Sequence, residues 1–195
     1  MAKVAIIGGG IGGLMTAYRL KKNNSDTKIV IYDSGHMIEK RYCPANKNMG
    51  CVHCKVCSIT CGFAGAGAFS DGKFNLGTAY GGTLGEALGD DVANEYINEV
   101  DKVLESFAGD SYPKLFLSNE ELKLKCLQNN LRLLDMNVRH LGTDKNLQTM
   151  ESLIKWLMEN GVELESDTTI TQIKLSEKSI MFFSFSFIYD IVSTE

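Results

Sequence analysis

The sequence predicts an α/β protein built on a Rossmann-like parallel sheet that opens with a βαβ unit. Three observations carry this: an apolar run that ends in glycines, a helical pattern directly after it, and a second β-branched run closed by an acidic residue. Val4 to Ile7 is the first strand, and Ile11, Leu14, Met15 and Tyr18 follow at the i, i+3, i+4, i+7 spacing of a helix. Asn23 to Asp26 interrupts that helix, and Lys28 to Tyr32 is the second strand, with Asp33 at its end. Strand, helix and strand joined by a right-handed crossover pack as neighbours in a parallel sheet.

The 195 residues carry a net charge of -4, with 44% hydrophobic and 23% charged positions. That composition is ordinarily globular and excludes collagen-like, disordered and small disulfide-stapled classes. A weakly acidic balance gives no electrostatic footprint for nucleic acid or anionic lipid, so neither is expected as a partner. MAKVAIIGGGIGG breaks into glycines after four apolar residues, too early for a signal peptide or a spanning helix, and a cytoplasmic protein is the expectation.

Of the 19 glycines, 16 precede residue 90, so tight turns and close backbone approaches concentrate in the first half. Residues 34 to 80 are expected to be mostly irregular. Leu84 to Phe107 reads as one long amphipathic helix, and Asn119 to Leu127 as a shorter one started by an Asn cap. Leu131 to Val138 reads as extended, Asn146 to Glu159 as a helix stopped by Gly161, and Thr168 to Leu175 as a strand. IMFFSFSFIYDIV, residues 180–192, reads either as a buried strand or as an anomalous end, and is too short to span a membrane.

Three constellations carry chemistry. The first is Gly8-Gly9-Gly10-Ile11-Gly12-Gly13, a GxGxxG between strand and helix, with Asp33 twenty residues beyond Gly13. Gly8 allows the tight turn, Gly10 lets the backbone approach a pyrophosphate, and Gly13 lets helix and strand pack closely. The N–H groups from Ile11 onward and the helix dipole favour phosphate, and the Asp33 carboxylate is an acceptor for a ribose hydroxyl. An acidic residue there argues against a 2′-phosphate, and the motif leaves FAD and NAD both open.

The second constellation is Cys51-x2-Cys54-x2-Cys57-x3-Cys61, preceded by Cys43-Pro44. The spacing is that of bacterial ferredoxins. A single site would take Cys43, Cys51, Cys54 and Cys57 as ligands and leave Cys61 free, or use Cys61 in place of Cys43. An iron–sulfur cluster, a zinc site that includes His53, and unmetallated thiols all remain open. Cys126 stands apart and reads as a buried structural residue.

The third is the run from Gly62 to Lys73, GFAGAGAFSDGK, in which Ser70, Asp71, Gly72 and Lys73 follow a glycine-rich stretch. Such a segment can bring backbone N–H groups to a flat ring or a phosphate, and Lys73 can stabilise negative charge near a flavin. Phe74 after Lys73 excludes a Walker loop, which needs Ser or Thr for Mg²⁺. Trp156 lies on the apolar side of its helix and reads as core, and His36 and His53 read as loop residues. Nothing resembles a hydrolytic triad.

GGGIGG, RYCP, CVHCKVC and above all GFAGAGAFSDGK resemble the N-terminal part of a family of uncharacterised FAD-dependent dehydrogenases. RHLGTD at 139–144, followed by a helix and GVELESDTTITQIKL, is similar to the stretch where that family returns to its FAD sheet. The resemblance covers about residues 3 to 175. It implies FAD at Gly8 to Gly13, places Ser70 to Lys73 near the flavin half of the cofactor, marks His140 for cofactor or substrate contact, and implies oxidoreductase activity toward a small-molecule substrate or electron carrier. Family members are much longer, with a substrate domain and a late glycine-Asp element missing here. The expectation is therefore a truncated or frameshifted chain: a partial FAD-binding domain at 1–178, with a cysteine- and glycine-rich insert at 41–82, and an atypical tail at 179–195. An electron-transfer module centred on the cysteines and an inactive fragment are the alternatives.

Overall fold

In a computed structural model the chain is described over residues 3–47, 50–117, 119–133, 137–175, 179–184 and 188–192. The strands are β1 (Lys3–Ile7), β2 (Lys28–Tyr32), β3 (Lys73–Asn75), β4 (Val138–His140), β5 (Val162–Glu165), β6 (Ile170–Leu175), β7 (Ser179–Ser184) and β8 (Ile188–Val192). The α-helices are α1 (Ile11–Asn23), α2 (Leu84–Leu88), α3 (Asp90–Ala108), α4 (Glu120–Gln128) and α5 (Thr143–Glu159). The chain divides into one unit of residues 1–69 with 150–195 and a second of 70–149, the boundary falling within α5. Among the described residues no helix is long and apolar enough to cross a membrane.

The first unit contains the expected opening. β1 and β2 pair in parallel from Lys3 opposite Lys28 to Ile7 opposite Tyr32. β5 joins on the other side of β2, with Ile29 opposite Val162, giving the order β1-β2-β5. A parallel strand must be reached by a crossover, and its two buried faces favour the apolar, β-branched run Lys28 to Tyr32. Ile29, Ile31, Leu14, Ala17, Leu153, Ile154, Leu157 and Val162 are buried, which shows the inward faces of the sheet and of the two helices. Tyr18 of α1 meets Trp156 of α5 in a tilted ring contact, 4.9 Å between centroids, and the Lys22 ammonium lies over both rings. Trp156 is thus a packing residue with a cation–π partner.

The end of the chain forms strands. β6, β7 and β8 make an antiparallel sheet, with Ile173 opposite Phe182 and Phe182 opposite Tyr189. The stretch 180–192 is two strands, not one, with residues 185–187 between them outside the described set. β7 finds its partner in the preceding β6.

The second unit holds β3 and β4, paired antiparallel with Lys73 opposite His140, together with α2, α3 and α4. The single long helix expected from Leu84 to Phe107 is two helices separated by Gly89 at φ 82°, outside the α region. Asp90 and Asp91 then stand in the first turn of α3, where the helix dipole favours them. Asn119 caps α4 as expected, its side-chain oxygen accepting the Leu122 N–H at 3.0 Å. α5 starts at Thr143, three residues before its expected start. Leu131 to Val138, expected as extended, contributes only Val138 to a strand, and residues 134–136 lie outside the described residues.

Candidate functional site

The glycine fingerprint sits where β1 turns into α1, and its glycines have separable reasons. Gly8 has φ +107°, a region that side chains rarely adopt, and its N–H donates to the Tyr32 carbonyl at 2.7 Å. A Cβ on Gly13 would lie 2.0 Å from the Gly8 carbonyl oxygen, so only glycine permits this close pass of helix over turn. Gly10 is the N-cap of α1 and has extended backbone; a Cβ there would meet only the Gly65 Cα at 3.9 Å, and one on Gly12 would meet nothing within 4 Å. Ile11 opens the helix and is exposed. Gly10, Ile11 and Gly12 therefore present an open helix N-terminus, the arrangement in which free N–H groups and the dipole receive phosphate.

Asp33 is 9% exposed, and its carboxylate accepts three backbone N–H groups. Oδ2 takes Gly9 at 2.7 Å, and Oδ1 takes Gly35 and Gly62, each at 2.8 Å. The sequence reading makes Asp33 a ribose acceptor; the structure adds that it already ties the fingerprint loop to two distant turns. A carboxylate offers about four acceptor positions, so one remains, on Oδ2 beside Gly9.

The glycine-rich stretch is divided. Gly62 to Phe69 belongs to the first unit, Ser70 to Lys73 to the second. Gly62 and Gly65 have positive φ, and their missing side chains are explained by protein contacts: a Cβ on Gly62 would lie 2.6 Å from the His36 carbonyl, and one on Gly65 3.1 Å from the Gly10 Cα. The Ala64 N–H donates to the Gly9 carbonyl at 2.8 Å, and Phe63 is fully buried against Gly9. These glycines let the segment lie against the fingerprint loop itself. In the second unit Gly72 is buried at φ +63° beneath Asn146 and Leu141, and its N–H donates to the Ser70 hydroxyl at 3.2 Å. Asp71 faces Lys73 at 3.5 Å and His140 at 3.7 Å, two nitrogen groups beside one carboxylate oxygen.

Arg41 is a residue that sequence reasoning missed. Buried, it donates to the carbonyls of Ser58 and Ile59 and to those of Phe63 and Gly65, and its guanidinium lies 4.6 Å from the centre of the Phe69 ring. Burial lowers its pKa, and the charge of the Asp33 carboxylate chiefly opposes that. Its partners lie 17 to 24 residues away, so no local pattern announces them.

The cysteines are not gathered into a ligand set. Cys51, Cys54 and Cys57 are exposed, Cys43 and Cys61 are half-buried, and among the described residues no group of three or more His, Cys, Asp or Glu is placed to hold a metal ion. The x2 spacing permits convergence, but metal–sulfur bonding is what enforces it, and residues 51–56 have no regular structure to replace that bonding. Cys57 differs from its neighbours. Its thiol pKa is lowered, chiefly by the Ile59 N–H and then by the Thr60 hydroxyl and N–H, with the Arg41 charge contributing.

In the second unit Arg139 forms a bidentate pair with buried Asp101, Nε at 2.8 Å from Oδ1 and Nη2 at 2.9 Å from Oδ2, and Nη1 donates to the Pro113 carbonyl. The Tyr112 hydroxyl donates to Asp101 Oδ1. Burial, and then the Asp101 carboxylate, raise the Tyr112 pKa, and the Asp101 hydrogen bond raises that of Arg139. Asp101 also borders an apolar cavity of about 250 Å³ lined by Phe74, Leu76, Tyr96, Ile97 and Leu104.

Residues 6–38 match a family model described as an NAD(P)-binding Rossmann-like domain. None of the curated proteins compared matches the sequence. Among solved structures the chain is similar to 3-ketosteroid-Δ4-(5α)-dehydrogenase from Rhodococcus jostii RHA1, with TM-score 0.51 and 13% identity over 98% of this chain and 44% of that one. It is also similar to glycine oxidase from Bacillus cereus ATCC 14579, with TM-score 0.49 and 13% identity over 96% of this chain and 52% of that one. CtdE, solved in complex with FAD, gives TM-score 0.45 and 9% identity over 97% of this chain and 36% of that one. The chain thus spans about half or less of the length of these proteins. The likeness to the Rhodococcus enzyme shows a shared fold.

Proposed function

We propose that this chain supplies the dinucleotide-binding part of an FAD-dependent oxidoreductase. The observation that carries the reading is the contrast within one loop: Gly13 is closed by protein, whereas Gly10 and Gly12 have open space where a side chain would stand. A loop that needed glycine only for folding would have no reason to leave those two positions bare. Gly10, Ile11 and Gly12 would receive the pyrophosphate, and the remaining Asp33 acceptor position would take an adenosine ribose hydroxyl. FAD when bound supplies the hydride or electron chemistry, and the protein positions and tunes it. The residues therefore fit the adenosine and pyrophosphate half of the cofactor.

Preference for FAD over NAD rests on the resemblance of GFAGAGAFSDGK and its neighbouring motifs to the FAD-dependent dehydrogenase family. By the same resemblance Ser70, Asp71, Gly72 and Lys73 are assigned to the flavin half, and His140 to cofactor or substrate contact. Gel filtration after incubation with FAD or with NAD tests the reading through the bound chromophore. The expected result is retained flavin absorbance with FAD and no retained NAD. Gly10→Val should lose the flavin, because its branched side chain fills the space proposed for pyrophosphate. Equal flavin content in the wild type and this variant would remove the assignment.

A further inference from the structure

We propose that the cavity between β3, α2 and α3 is a preformed binding site for a small uncharged aromatic molecule, about the size of two fused rings. Its walls come from three segments of the second unit: Phe74 and Leu76 at β3 and just after it, Leu84 on α2, and Tyr96, Ile97 and Val100 on α3. Two polar clamps hold these segments in place. Arg139 stands opposite Phe74 in the β3–β4 ribbon, so its bidentate bond to Asp101 sets the distance from α3 to that wall. About three helical turns earlier on α3, Asp90 Oδ1 accepts the Thr78 hydroxyl at 2.7 Å, which ties the turn after β3 to the start of the helix. α2 presses on this second clamp, where a Cβ on Gly85 would lie 2.3 Å from the same Asp90 oxygen. For α3 to settle onto Phe74 and close the space, both clamps must break.

The lining sets the class of ligand. Asp101 is the only charged side chain among the described residues of the wall, and its oxygens are taken by Arg139 and Tyr112. The cavity therefore offers neither a cation to an anionic ligand nor a free carboxylate to a cationic one, and a charged ligand would lose hydration without return. The Phe74 and Tyr96 rings favour an aromatic guest. Leu84, Tyr96 and Val100 are 45%, 52% and 38% exposed, so the guest removes apolar surface from water at the mouth. An apolar cavity of about 150 Å³ takes one benzene ring. The 250 Å³ here takes a larger guest. All of these residues belong to the second unit, and the site does not depend on the dinucleotide reading.

The test is isothermal calorimetry of the full chain, without FAD or NAD, against naphthylmethanol and against naphthoate, which carries a carboxylate on the same ring system. The expected result is saturable binding of the alcohol at one site per chain, with naphthoate weaker by about tenfold or more. Val100→Trp and Leu84→Trp each add an indole at the mouth from a different helix, and thermal melts compare their folding with the wild type. Each should weaken the alcohol by about tenfold or more, because the added ring occupies its space. Leu127→Trp puts the same ring on the exposed surface of α4, outside the wall, and should leave the affinity unchanged. Absence of saturable binding to the wild type would overturn the proposal. So would equal affinity for the alcohol and the carboxylate, or an equal effect of all three tryptophan substitutions.

Discussion

The Asp33 carboxylate and the Gly9 N–H, 24 residues apart, meet at 2.7 Å, so that the acidic end of β2 holds the glycine loop that precedes α1. With Gly35 and Gly62 on its other oxygen, Asp33 fixes three backbone segments at once. A residue read from sequence as a ligand contact is thereby also a positioning residue. The same hydrogen bonds that orient the loop set the direction of the one acceptor position left over.

Asp33→Asn is expected to destabilise the protein by about 3 kcal/mol, because charge-assisted bonds are lost and an amide donor is turned toward backbone N–H groups. Urea unfolding of the two proteins measures it. An unchanged midpoint would mean that the three N–H groups find other partners.

Gly13→Ala and Gly12→Ala should separate folding from binding. The first forces a shift at the Gly8 carbonyl and is expected to cost about 3 kcal/mol; the second meets no atom within 4 Å and should leave stability equal to or above the wild type. Thermal melts of both variants check this, and a matched loss in the two would sink the assignment of Gly13 as the packing glycine.

Arg139→Met should destabilise by about 3 to 5 kcal/mol, since it leaves the buried Asp101 carboxylate without its cation. Replacing Asp101 by Leu in the same chain is expected to recover a large part of that loss, because the uncompensated charge is gone. A double-mutant cycle in urea reads the coupling, and additive losses would show that the pair is independent.

Tyr112 gives a pH dependence with a defined sign. Its folded pKa is raised from the usual 10.0, first by burial and then by the Asp101 carboxylate. The neutral phenol is therefore favoured in the folded protein. Its contribution to stability is complete below the unfolded-state value and is lost as pH rises through the folded one. An alkaline absorbance titration should show a phenol that ionises above the ordinary tyrosine range, and Tyr112→Phe should remove that step.

The sequence alone determined the βαβ opening, the place of the glycine fingerprint, the Asn119 cap and the helix that ends before Gly161, because each depends on residues within a few positions of one another. Gly89 could also have been read locally, since a glycine followed by Asp90 and Asp91 marks the start of a new helix. Tertiary structure alone decided the partners of Asp33 and Arg41, the seating of Phe63 on Gly9, and the meeting of Asp101 with Arg139 across 38 residues. It also separated Cys57 and Cys61 from Cys51 and Cys54, by placing the first pair on one hydrogen-bonded turn and the second on a stretch without regular structure. The physical reason is range. Helix periodicity, caps and glycine turns are set by steric and hydrogen-bond rules a few residues long, whereas a buried charge takes whatever acceptors or donors the packed chain brings to it.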